Sequence, residues 1–167
     1  MATKLLLGRF TSVTPVTLFR VQSGLKVNLR PEAAARAAGR RSFDISEREG
    51  AVWARDASEK AFLGPNGMSL RPLGNMLAVL IGTFKARNTL VFEVPAGTPL
   101  PPELVLLHEH SDHYALQPAQ RMTLVELNDS LSKFLAQPRA RKYANLEAFY
   151  EAHPAMHPYE VGFSENA

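Results

Sequence analysis

The run Phe92-Glu-Val-Pro-Ala-Gly-Thr-Pro-Leu-Pro-Pro-Glu-Leu-Val-Leu-Leu-His-Glu-His-Ser-Asp-His-Tyr-Ala-Leu-Gln-Pro-Ala-Gln-Arg-Met-Thr-Leu124 holds the end of one strand, two further strands and the start of a helix. The β-branched and aromatic residues from Asn88 to Val94 predict a strand, and the proline-rich turn after it excludes regular structure. Leu104 to His108 and Asp112 to Gln117 predict two more strands, the second ended by Pro118. Between them lies a polar corner. Thr123 and Glu126 then match a helix-capping box. Apolar residues at 124, 127, 131, 134 and 135 fall on one helical face, so 123–136 is the strongest predicted helix.

Moving outward, Val16-Thr-Leu-Phe-Arg-Val21 predicts a strand, with a turn and a second short strand over 24–30. Pro31 and Gly39 bracket a short helix over 31–38. Residues 40–50 have no period and predict a loop. Ala51 to Arg55 predicts a short strand, Gly64-Pro-Asn-Gly67 a turn, and Met68 to Arg71 a short extended piece. Residues 73–86 are apolar on most sides, which predicts a buried helix despite two glycines. A last short helix is expected at 145–152. Strands scattered among short helices, without regular βαβ alternation, predict an α+β fold. The expected organisation is one domain over 1–152 and an irregular C-terminal tail over 153–167.

The 167 residues are 46% hydrophobic and 21% charged, an ordinary globular balance able to bury a core. Cysteine is absent, which excludes a disulfide scaffold, a cysteine nucleophile and thiolate metal sites. No apolar run is long enough for a membrane span. Leu5-Leu-Leu7 is too short for a secretory signal, so a cytoplasmic location, in the producing or a target cell, is expected. The net charge of +3 conceals an asymmetry: residues 1–87 carry 14 Lys/Arg against 6 Asp/Glu, and residues 88–167 carry 5 against 10. A basic half suits an anionic ligand, a nucleic acid or an acidic partner, or is a solvated surface.

Two groups of residues could carry chemistry. His108-Glu-His-Ser-Asp-His113 matches the His-x-His-x-Asp-His spacing with which some hydrolases seat two zinc ions. The further ligands such a site needs reduce to His153 and His157, both beside prolines, so no metal is expected and the run reads as a strand–turn–strand corner. The second group is dispersed. Arg20 stands inside an apolar strand, where a guanidinium needs a partner, a phosphate-bearing ligand or water. Ser69 follows a flexible turn and suits a ribose contact or a turn serine. His113 and Tyr114 open a strand with two rings that could stack on a flat ligand or serve as acid or base, or simply be part of the packing.

Taken in order, Thr17-Leu-Phe-Arg-Val, Asn66-Gly-Met-Ser-Leu, Phe92 to Leu104 and His113-Tyr-Ala-Leu-Gln-Pro resemble a toxin family of the ADP-ribosyltransferase superfamily. That family is known as a type VI secretion effector, with relatives in filamentous fungi. The resemblance covers about residues 16–136. It implies two small antiparallel sheets around a cleft for NAD, with flanking short helices. It also implies that NAD is the substrate and that ADP-ribose goes to an acceptor: protein, nucleic acid, small molecule or water. By position, Arg20, Ser69 and His113 would be the catalytic set. Arg20 would anchor phosphate or the adenosine ribose, and Ser69 would bond the nicotinamide ribose. Tyr114 would stack on nicotinamide, and His113 would orient a ribose hydroxyl or take a proton. The chain has Met68 where family members carry a second small polar residue, and the family pattern selects neither Glu109 nor Asp112 as a catalytic carboxylate. Bacterial members have a cognate immunity protein, which is a possible partner here. Three readings therefore stand: an NAD-consuming transferase or NAD glycohydrolase, a non-catalytic NAD- or protein-binding domain of the same fold, and a zinc hydrolase at 108–113.

Overall fold

The polar corner between the two central strands does form a hairpin, and it organises the larger of two sheets. The computed structural model of the chain describes residues 4–84 and 86–157. In chain order the elements are β1 (Gly8–Phe10), β2 (Leu18–Ser23), α1 (Glu32–Ala37), β3 (Met68–Leu70), α2 (Asn75–Thr83), β4 (Thr89–Val94), β5 (Leu104–His110), β6 (His113–Pro118), α3 (Leu124–Leu135), β7 (Arg141–Tyr143) and α4 (Leu146–Ala152). One antiparallel sheet runs β1-β5-β6-β3 and the other β2-β4-β7. The fold is α+β, as the sequence predicts.

Alternation along the strands divides the interior. Met68, Leu70, Tyr114 and Leu116 from one face of the larger sheet join Leu18, Phe92 and Val94 from the smaller. Leu127, Leu131, Phe134 and Leu135 of α3 close this core. Full burial of each such side chain stabilises the fold by about 1.5–3 kcal/mol. The other face of the smaller sheet packs Phe19, Val21, Val91 and Tyr143 against α2 and α4. α3 begins as expected: Thr123 Oγ1 accepts from Glu126 N at 3.1 Å, and the Glu126 carboxylate accepts from Thr123 N at 3.5 Å.

Four expectations change. Residues 24–30 contain no strand, although Val27 and Leu29 are buried. Their amides bond Ser132 Oγ at 2.8 Å and Asn128 Oδ1 at 3.0 Å, so α3 side chains replace a neighbouring strand. Ala51 and Val52 form only isolated bridges, the latter to Met122. The apolar helix α2 is shorter than expected and buries one face, Leu77, Ala78 and Ile81, while Met76, Val79 and Leu80 stay exposed. Past Ala152, a 3₁₀ turn at Pro154–Met156 buries Met156 where irregular chain is expected; the rest of that tail, 158–167, lies outside the described residues.

Two local features position the site. Phe19 and Arg71 exchange backbone hydrogen bonds of 2.7 and 3.1 Å, pinning β2 beside the end of β3 and joining the two sheets. The β5–β6 hairpin has a register irregularity between His108 and His110, with Ser111 at a positive φ of 39° in the turn. An extra residue in one strand re-aims its side chain. Here the residue is Glu109, which is 1% exposed.

Candidate functional site

β3 pairs with β6 so that Ser69 lies opposite Ala115. Opposed residues share a face, and so do residues two apart on one strand. Ser69, His113, Ala115 and Gln117 therefore line one face, and Met68, Leu70, Tyr114 and Leu116 point into the core. Ser69 Oγ lies 3.0 Å from His113 Nε2. Behind the imidazole, His113 Nδ1 lies 2.9 Å from Glu109 Oε1. Glu109 Oε2 accepts from Gln117 Nε2 at 3.1 Å.

Arg20 reaches this group from the other sheet. Its Nη1 donates to Ser69 O at 3.5 Å and its Nε to Gln22 Oε1 at 3.1 Å. Among the described residues no carboxylate forms a direct ion pair with it. Removal from water lowers its pKa to about 10, opposed by the charge of Asp44 and aided by that of Arg30. The guanidinium remains charged at neutral pH, short of the anionic partner that a desolvated cation requires.

Ser69, His113 and Glu109 line a cavity of about 230 Å³ with Arg30, Phe43, Asp44 and Phe62. A neighbouring cavity of about 670 Å³ shares Phe43, Pro65 and Asn66 and extends past Trp53 and Arg55. Small-molecule sites occupy about 300–1,000 Å³, so the two volumes together suit a ligand larger than a single ring system. Gly67 is required at the cavity wall, because a Cβ there would collide with the Leu116 carbonyl.

A profile of the Tse2 ADP-ribosyltransferase toxin matches residues 16–144, most of the chain. The chain belongs to the Tse2 ADP-ribosyltransferase toxin family. No curated protein and no solved structure matches it. The matched residues include β2, β3 and β6, which carry Arg20, Ser69 and His113.

Of the residues that the toxin family suggests, three converge and one does not. The two-residue period of β6 turns Tyr114 away from His113 and into the core. Its ring stacks on His108 at a centroid distance of 4.0 Å, and burial raises its pKa. Stacking on a ligand in the cavity is therefore corrected to packing. Phe43 and Phe62 are the cavity's own aromatic rings, and both sit in stretches without periodicity that could announce them. Met68 is fully buried on the core face, so it meets no ligand.

The run 108–113 disperses. His108 Nε2 meets Ser111 O at 2.5 Å, His110 stacks on His113 at 5.1 Å, and Asp112 pairs with Arg71 at 2.7 Å. Among the described residues no group of three or more His, Asp or Glu side chains is arranged to hold a metal ion. No helix among them is long and apolar enough to cross a membrane. Glu109 is the residue sequence reasoning undervalues. It lies four residues before His113, and continuing the 107–115 and 108–114 pairing of the hairpin would already set the two side chains on one face; they stay in contact although the register shifts between His108 and His110.

Proposed function

We propose that the chain is an NAD-dependent ADP-ribosyltransferase toxin whose substrate site is the cavity lined by Ser69 and His113, with Arg20 behind Ser69. The observation that carries this reading is that Arg20, from the other sheet, reaches the Ser69 backbone carbonyl at 3.5 Å while the Ser69 hydroxyl lies 3.0 Å from His113.

The chemistry sets what such a site must do. Nicotinamide leaves ribose with the bonding electron pair and becomes neutral, while positive charge develops on the ribose carbon. An acceptor lone pair then forms the new bond, and the acceptor's proton passes to a base. Catalysis requires groups that favour this charge distribution over that of the bound substrate. Arg20 anchors the pyrophosphate, for which its planar fork and unpaired charge are suited. Ser69 holds a hydroxyl of the nicotinamide ribose, and His113 orients that contact or takes a proton. Phe43 and Phe62 supply flat apolar walls for the nicotinamide ring, the part given by resemblance to Tyr114. The acceptor is a macromolecule, a small molecule or water; water would make the chain an NAD glycohydrolase. A cognate immunity protein as partner stands with this reading.

Nicotinamide release from NAD, followed alongside growth on induced expression, tests the proposal. The expected result is release and growth arrest by the native chain, both abolished by Arg20→Ala in a folded protein. One observation favours a second reading, a domain that binds NAD without turnover: the site's carboxylate is bonded to His113 and Gln117. Tight NAD binding with no nicotinamide release and no growth arrest would select it.

A further inference from the structure

Two fully buried polar atoms of the site, Glu109 Oε1 and His113 Nδ1, have no other partner among the described residues and face each other at 2.9 Å. If both were acceptors, two lone pairs would be forced together away from water, so one proton lies between them. The carboxylate's second oxygen is already committed: Gln117 Nε2 donates to it at 3.1 Å, while Gln117 Oε1 accepts from Asn66 Nδ2 at 3.4 Å. Asn66 Nδ2 in turn donates to Trp53 O at 2.9 Å. The chain of donors thus runs inward from Asn66 through Gln117 to Glu109 Oε2, which leaves Oε1 to face the ring nitrogen as an acceptor.

We infer that Glu109 is a positioning residue that holds His113 as its Nδ1–H tautomer, so that the Nε2 lone pair accepts the Ser69 hydroxyl proton and Ser69 Oγ offers only lone pairs to the cavity. The inference rests on the proposed NAD site and adds its polarity. A group bound at Ser69 must donate a hydrogen bond, as a ribose hydroxyl does and a phosphate or carboxylate oxygen does not. The hydrogen bond made by one ring nitrogen decides which role the other plays. The imidazole is faced by Ser69 of β3, by Glu109 and the stacked His110 of β5, and by no second carboxylate at hydrogen-bond distance among the described residues. The charge of Glu109 also acts on Arg55, and those of Arg71 and Lys4 act on His110.

Long-range proton–nitrogen NMR correlations of His113 in the native chain at about pH 8, above the ordinary histidine range, read the tautomer directly. The expected pattern is a protonated Nδ1 and a bare Nε2; the reverse pattern overturns the inference. Glu109→Gln then tests the consequence. Gln117 still needs an acceptor, so the new amide's oxygen takes that place and its NH₂ group faces Nδ1. The proton is expected to move to Nε2, with nicotinamide release falling about tenfold to a hundredfold, the loss expected when a buried donor–acceptor pair is reversed. The exchange Glu109→Gln/Gln117→Glu restores an acceptor toward Nδ1 and is expected to recover the native tautomer and most of the activity. A folded exchange variant with the native tautomer and no recovery overturns the role assigned to Glu109. If the native chain releases no nicotinamide, the proposed function fails, and the NMR result still decides the tautomer.

Discussion

Arg20 carries a charge that its surroundings do not repay, which is what the proposed ligand-binding role asks of it. Its folded pKa lies below the ordinary value because burial disfavours the charged form. The unfolded chain therefore binds the proton more tightly, and the charge costs stability at every pH below about 10, the cost easing as pH rises from there toward the unfolded value. Arg20→Met is predicted to leave the thermal midpoint equal to or above that of the native chain while abolishing NAD consumption. A midpoint several degrees lower would make Arg20 a structural residue. Tyr114 gives the opposite case, because its ring belongs to the core. Tyr114→Phe is predicted to change nicotinamide release by less than about twofold, whereas a loss of ten times or more would return the phenol to the site. The separation of His113 from Tyr114 is legible from strand alternation alone. The pairing of Glu109 with His113 is not, since it depends on where the hairpin turns and so on the register of β5 against β6.

At the level of elements, the strongest signals in the sequence belong to segments whose own residues determine their form. The Thr123–Glu126 capping box and the apolar face of α3 are both present as predicted. Thr123→Ala is predicted to lower stability by about 1 kcal/mol, measured by denaturant unfolding, with nicotinamide release unchanged. The edge strands β1 and β7 have three residues each, too few for a period to stand out. Residues 27–29 read as a strand because their apolar alternation is real, but Asn128 and Ser132 of α3 take up their amides. Gly67 fixes how closely β3 approaches β6. Gly67→Ala is predicted to disturb the Ser69–His113 contact by forcing β3 from the Leu116 carbonyl. The prediction is lower stability together with a changed chemical shift at His113, and an unchanged spectrum would contradict it.

Across the whole molecule, the division of charge along the chain acquires a place. Arg30 comes from the basic half and Glu109 and His113 from the acidic half, and they line one cavity, with Arg20 of the basic half reaching the backbone of Ser69 in its wall. The basic side offers long-range attraction to an anionic ligand, and the acidic side contributes a carboxylate spent on an internal bond. NAD binding is accordingly predicted to weaken severalfold between about 0.05 and about 0.5 M salt, as a charge-assisted contact near the surface is screened. Salt-independent affinity would remove the exposed Arg30 from the binding surface. The fold class was open to reading because strands and helices alternate without βαβ order. How the two sheets meet was not, because the Phe19–Arg71 bridge joins residues 52 positions apart through backbone atoms alone.

Titration of the isotope-labelled chain with NAD, followed residue by residue by NMR, tests the central claim most directly. Saturable shifts centred on Arg20, Ser69 and His113, extending to Phe43 and Phe62, are the predicted result. No shifts, or shifts confined to another surface, would contradict it.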